Sequence, residues 1–163
     1  MGIEAVLGAA LKGVVQPVRR AVGTLGATMH PDGYHGDYQG KVGFCEGWYV
    51  KLGSADRAHR IAIIPGIFKG GEHSSVPGAN DEAFVQVLDG VTGESWYETF
   101  PVEEFSADAR SFDVAVGGNS FGAAGVSVDL PESRLRGEVS FTTPLDPWPV
   151  SIASPGIMGH YGW

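Results

Sequence analysis

The chain contains 163 residues, of which 43% are hydrophobic and 18% are charged, with 25 glycines and 10 prolines. This length allows one domain with a hydrophobic core and is short for two. The formal net charge of −8 disfavours a nucleic-acid partner, and the absence of any run of about 18 apolar residues excludes a spanning helix. The single cysteine, Cys45, excludes an internal disulfide and a cysteine-rich metal site.

Residues 1–28 differ from the remainder because Lys12, Arg19 and Arg20 outnumber the single acidic residue, Glu4. Apolar residues recur there at steps of three and four, which predicts a short amphipathic helix. These residues are Ile3, Val6, Leu7, Ala10, Leu11, Val14, Val18, Val22 and Leu25. The helix could pack against its own domain or lie on a membrane surface. Alternatively, residues 1–28 could form a disordered tail. We expect a cytoplasmic protein, which would be peripheral to the membrane if the second interpretation holds.

Residues 29–163 are predicted to form one β-domain, because short segments of period two alternate with turn residues and no long helical period interrupts them. The predicted strands are Phe44–Leu52, His59–Ile64, Ala83–Asp89, Ser95–Phe100, Arg110–Val116, Gly125–Leu130 and Arg134–Phe141. Gly66–Asn80 is predicted to be a long loop, and Gly117–Gly122 a loop between strands. The pattern indicates an all-β antiparallel meander that closes as a barrel or folds as a sandwich.

Aromatic and ionisable residues suited to catalysis or binding are most concentrated around the strand that contains Glu46 and Trp48. Because these residues are two apart, their side chains project from the same face. If that face points inward, burial favours the protonated acid beside an indole, a pair suited to protonating an alkene. The alternative is that Glu46 is solvent-facing or ion-paired and that Trp48 only fills the core.

Other site types have weaker support. The five histidines include no paired-ligand spacing, so we expect no metal site. A Gly-x-Ser-x-Gly nucleophile motif is absent, and nothing suggests a helix N-terminus at Gly117–Gly122 that could hold a phosphate.

Several sequence blocks, in their order along the chain, resemble the tocopherol cyclase family, particularly its bacterial branch. A Tyr-His pair precedes a Phe-x-Glu-Gly-Trp-Tyr-x-Lys strand, and a Pro-Gly-Ile-Met-Gly stretch follows much later. The blocks are Asp32–His35, Phe44–Lys51, Ile64–Ile67, Ala83–Asp89 and Ser154–Gly159. The Glu-Gly-Trp-Tyr block is the most specific of them. Family members continue beyond the last block, so the resemblance covers an N-terminal half.

The resemblance implies a lipocalin-like barrel or half-barrel that binds a prenylated quinol or another isoprenoid lipid. It implies protonation of a prenyl double bond and closure to a chromanol without a cofactor, with Glu46 and His35 as the catalytic residues. The residues expected to contact the substrate are Tyr34, Trp48, Tyr49 and Lys51. A homodimer or a second-half partner chain would complete the domain. The alternative is a non-catalytic hydrophobic-ligand carrier or interaction module.

Overall fold

The computed structural model describes residues 29–36, 43–70 and 81–143, together with Val18, Ala21, Leu25 and Gly26. The described residues contain ten strands: β1 (Phe44–Gly47), β2 (Val50–Gly53), β3 (Arg60–Lys69), β4 (Glu82–Asp89), β5 (Ser95–Phe100), β6 (Phe105–Ala107), β7 (Asp113–Val116), β8 (Asn119–Gly122), β9 (Gly125–Leu130) and β10 (Leu135–Ser140). A 3-10 turn, Val102–Glu104, precedes β6. The all-β prediction is therefore confirmed for this part of the chain.

The strands form two antiparallel five-stranded sheets. The first has the order β1-β3-β4-β5, with β2 also paired to β3, and the second is the meander β10-β9-β8-β7-β6. Within the described ranges, neither sheet closes on itself as a barrel.

The predicted strand Phe44–Leu52 is divided into β1 and β2 at Trp48 and Tyr49. Both parts pair with β3 in one continuous register, from Phe44 opposite Lys69 to Gly53 opposite Arg60. The Trp48 N–H donates to the carbonyl of Pro65 at 3.0 Å, and Pro65 has no N–H to donate in return. The ladder is interrupted there, but the predicted alternation of faces is retained.

The loop predicted at Gly66–Asn80 begins later than expected, because Gly66–Lys69 completes β3. Gly66 lies between Gly47 on β1 and Phe84 on β4. The ring of Phe84 covers Gly66 so closely that a Cβ there would lie 2.4 Å from Phe84 Cζ. The periodicity of β3 is hidden in the sequence by its proline and glycine. Residues 71–80 lie outside the described part.

The loop predicted at Gly117–Gly122 is also corrected, because Asn119–Gly122 forms β8. Gly117 and Gly118 have φ angles of 55° and 81°, as a two-residue hairpin turn requires. β6 (Phe105–Ala107) was not predicted, whereas Ser95–Phe100 and Gly125–Leu130 match the predicted bounds.

One hydrophobic core holds the two sheets face to face. Its buried members come from both sheets, and they are Val50, Ile63, Ala83, Val85, Val87, Val114, Val116, Phe121, Val126, Val128 and Leu130. Their burial accounts for the period-two pattern from which the strands were predicted.

The predicted N-terminal helix falls mostly outside the described residues. Val18, Ala21, Leu25, Gly26 and Met29 have helical conformation, and the side chains of Val18 and Leu25 are 58% and 55% exposed. The family-like block 154–159 also lies outside the described residues. Within the described part, no helix is long and apolar enough to cross a membrane.

Candidate functional site

The segment from His30 to Gly36 runs between the edges of the two sheets. It contacts the first sheet through the Asp32 carbonyl, which accepts a 2.8 Å hydrogen bond from Trp48 Nε1. It contacts the second sheet through the Tyr34 N–H, which donates to the Asp108 carbonyl at 2.8 Å. Gly33 is buried against Ala109, where a Cβ would lie 2.4 Å from the backbone oxygen. The segment thus links β1 and β2 to the β6–β7 turn.

Glu46 fixes the end of this segment to β1. Its two carboxylate oxygens accept hydrogen bonds from the N–H groups of His35 at 2.8 Å and Gly36 at 2.9 Å. The Glu46 side chain is 18% exposed and lies opposite the buried Ile67 on the inner face of the sheet. Both carboxylate oxygens therefore act as acceptors for backbone donors of the segment.

The imidazole of His35 lies between two acceptors. Nε2 is 2.9 Å from the His30 carbonyl oxygen, and Nδ1 is 3.4 Å from Glu46 Oε1. The hydrogen bond with Glu46 raises the pKa of His35, burial opposes this increase, and the His30 carbonyl and the Glu46 charge add to it. An imidazolium can donate to both acceptors at once, which a neutral imidazole cannot. His35 and Glu46 therefore form a hydrogen-bonded pair in which the raised pKa of His35 favours its protonated ring.

An aromatic cluster lies beside this pair and is formed by Tyr34, Trp48, Phe105 and Phe112. Ring centroids are 5.4 Å apart for Tyr34 and Phe105, 6.3 Å for Tyr34 and Trp48, and 6.3 Å for Trp48 and Phe105. Trp48 also stacks on Phe112 at 6.5 Å. All four side chains are partly exposed, so the cluster offers apolar surface to a ligand.

The structure brings four of the predicted site residues together: Tyr34, His35, Glu46 and Trp48. Tyr49 and Lys51 do not join them, because they alternate to the opposite face of the strand. The Tyr49 side chain is 65% exposed there, and Lys51 is also exposed.

Phe105 and Phe112 were not predicted to belong to the site. They reach it from the second sheet, more than 50 residues along the chain from Trp48, and no local pattern signals such a contact. The hydrogen-bonding carbonyls of His30 and Asp32 were also not predicted, because backbone acceptors carry no signal in the residue type.

Within the described residues, no three or more His, Cys, Asp and Glu side chains are grouped so that they could hold a metal ion. His73 and His160 lie outside that part of the chain.

No family model, curated protein or solved structure matches this chain. The site combines the hydrogen-bonded pair of His35 and Glu46 with a half-buried aromatic cluster where the edges of two sheets meet.

Proposed function

We propose that this protein is a tocopherol cyclase-like β-domain that binds a hydrophobic ligand with a polar aromatic head, such as a prenylated quinol. The observation that carries the proposal is the aromatic cluster beside the His35–Glu46 pair. Ring faces suit an isoprenoid chain, while the pair supplies charged hydrogen-bonding groups for a phenol.

A lipocalin-like architecture is part of this proposal. The ligand would enter between the two sheets, near the edges that the segment 30–36 connects. Support comes from the partial exposure of Trp48 and Phe112, whose rings also pack against the core. A ligand there would extend from the half-exposed cluster toward the apolar residues between the sheets.

The proposed reaction is an isomerisation that needs no cofactor. The His35–Glu46 pair donates a proton to a prenyl double bond, and the phenol oxygen attacks the resulting tertiary cation to form a C–O bond. The phenol proton returns to the pair, so atoms and charge balance. The negative ring faces of Trp48 and Tyr34 would stabilise the cation while it exists.

A non-catalytic carrier or interaction module is the second candidate function. A specific observation favours it: both oxygens of Glu46 are occupied by the N–H groups of His35 and Gly36. A carboxylate held in this way serves to fix the segment 30–36. Ligand binding would then occur without proton transfer.

Turnover assays separate these two functions. The purified chain is incubated with a prenylated hydroquinone, and the products are resolved by chromatography coupled to mass spectrometry. Cyclisation appears as a product of unchanged mass and altered retention that has lost one phenolic hydroxyl. We expect Glu46→Gln to abolish this product, whereas Glu104→Gln, an exposed residue of the 3-10 turn, should leave it unchanged.

Binding is measured separately by quenching of tryptophan fluorescence. Binding without product would support the carrier function. The whole proposal fails if neither binding nor turnover is observed, or if Phe112→Ala in a folded protein leaves the affinity unaltered.

The proposal places the protein in the cytoplasm, in contact with a membrane surface through residues 1–28. Support comes from the exposed apolar side chains of Val18 and Leu25 and from Arg19 and Arg20, which follow Val18 in the sequence. Deleting residues 1–28 should reduce co-sedimentation with anionic vesicles, and equal sedimentation of both forms would contradict membrane contact.

A further inference from the structure

The strand β10 stands at the end of the strand order of the second sheet. Within the described residues it pairs only with β9, and residues 136–140 are all exposed. Next in the same register, the Phe141 N–H donates to the Ala124 carbonyl at 2.8 Å. Because backbone groups alternate in direction along a strand, the N–H and C=O groups of Arg136, Glu138 and Ser140 point away from β9.

These outward groups restrict how a second copy of β10 could pair with the first. In an antiparallel pair related by a two-fold axis, residues whose backbone groups point outward must lie opposite one another. The axis then runs between the two copies of one residue, and that residue defines the register. An axis at Gly137 places Arg136 of each copy opposite Glu138 of the other. With the axis at Leu135, Arg134 would lie opposite Arg136 of the other copy. With the axis at Arg136 or at Glu138, that residue would lie opposite its own copy, so like charges would face each other again. The Gly137 register is therefore electrostatically self-complementary.

The side chains on both faces of β10 fit the same register. On the outer face, Arg136 already forms an ion pair with Asp129 of β9, and Glu138 of the other copy would extend this row of alternating charge. On the inner face, Leu135 would lie opposite Val139 of the other copy. The Val139 side chain is 40% exposed, so pairing would remove apolar surface from water.

We propose that the protein forms a homodimer in which two β10 strands pair antiparallel about Gly137. The two second sheets then become one continuous sheet. This inference is independent of the ligand-binding proposal, since it uses the opposite edge of the second sheet from β6. Charged residues on an edge strand commonly prevent such pairing, but here their order attracts a second copy in the register that the backbone allows.

The experiment measures association of the full chain by sedimentation equilibrium and native mass spectrometry. Concentrations run from about 1 to 500 µM, the range in which small interfaces associate. About 150 mM salt screens the long-range repulsion between two copies, each of net charge −8. We expect a concentration-dependent dimer.

Two single charge reversals test the register. Glu138→Arg opposes arginine to arginine, and Arg136→Glu opposes glutamate to glutamate, so each should raise the dissociation constant by about tenfold or more. An equal mixture of the two variants matches opposite charges at both positions, and we expect it to form a heterodimer. Glu103→Arg makes the same charge change as Glu138→Arg on an exposed turn and should leave dimerisation unchanged.

Circular dichroism confirms that each variant is folded before its association is measured. If the unsubstituted protein remains monomeric at the highest concentration, the proposal is overturned. The charged residues of β10 would then prevent pairing with a second copy. Dimerisation that is insensitive to both reversals, or a mixture that does not form the heterodimer, would also overturn it.

Discussion

The carboxylate of Glu98 accepts two hydrogen bonds from Ser133, one from its N–H and one from its hydroxyl, each at 3.0 Å. Glu98 lies on β5 of the first sheet and is 4% exposed. Ser133 lies in the turn between β9 and β10 of the second sheet. A buried carboxylate is costly unless it is paired or hydrogen-bonded, so this contact holds the sheets together at that end.

Removal of the Ser133 hydroxyl should weaken this link. Ser133→Ala leaves Glu98 with one donor from Ser133, and we expect a loss of about 1–3 kcal/mol in the free energy of unfolding. Urea denaturation provides the measurement. Ser127→Ala, on the exposed face of β9, serves as the control and should change stability by less than about 0.5 kcal/mol. Equal effects of the two variants would contradict the role of Ser133.

The free energy of unfolding should vary with pH in part because His35 titrates. Its pKa in the folded protein is raised above the ordinary value of 6.5, chiefly by the hydrogen bond with Glu46. The associated stabilisation is therefore complete below pH 6.5 and is lost as pH rises through the folded pKa. Thermal unfolding followed from pH 6 to 9 should show the melting temperature falling over that window.

His35→Gln removes this component and should cost about 1–3 kcal/mol at pH 6, because the partly buried His30 carbonyl and Glu46 carboxylate lose the imidazole as a hydrogen-bond partner. The exposed His59 is the matched control: His59→Gln should retain the decline in melting temperature above pH 6.5. A His35→Gln protein that keeps the same decline would assign the pH dependence to another group.

Gly66 should tolerate no side chain. A Cβ there would lie 2.4 Å from Phe84 Cζ and 2.7 Å from the Glu46 carbonyl oxygen. We expect Gly66→Ala to destabilise the protein by about 1–3 kcal/mol, the usual cost of overpacking. Gly53→Ala is the control, since its nearest neighbour would be the His59 carbonyl oxygen at 4.0 Å. Chemical denaturation of both variants tests the difference.

Glu46 should also control the order of the segment 30–36. Glu46→Ala removes the acceptor for the N–H groups of His35 and Gly36, so hydrogen–deuterium exchange at these two amides should accelerate at least about tenfold. The Tyr34 amide, which donates to Asp108, reports whether the loosening spreads. Unchanged exchange at His35 and Gly36 would separate Glu46 from the positioning of this segment. Glu104→Ala is the matched control.

The all-β fold could be predicted because it depends on local alternation. Val126, Val128 and Leu130 recur at every second residue and are all buried, which is the pattern of a strand with one face on the core. The same reasoning correctly placed Glu46 and Trp48 on one face. It failed where the alternation is short or interrupted: Pro65 and Gly66 hide the continuation of β3, and the three residues of β6 are too few to show a period.

The candidate site was predictable only in part. Glu46, Trp48, Tyr34 and His35 stand out because aromatic and ionisable residues are concentrated within a short stretch of chain. The sequence could not show that Glu46 would accept two backbone N–H groups, since those donors belong to a different segment. Phe105 likewise joins Trp48 only because the second sheet packs across the first.

The sequence by itself determined the strand character, the side chains that share a strand face and the composition of the local motifs, because all three follow from residues within a few positions of one another. The tertiary structure alone decided the hydrogen-bond donors of Glu46, the membership of the aromatic cluster and the exposure of the β10 edge. Each of these depends on which distant segment supplies a hydrogen-bond donor, a ring or a neighbouring strand. Such pairings are fixed by the packing of the two sheets around their shared core.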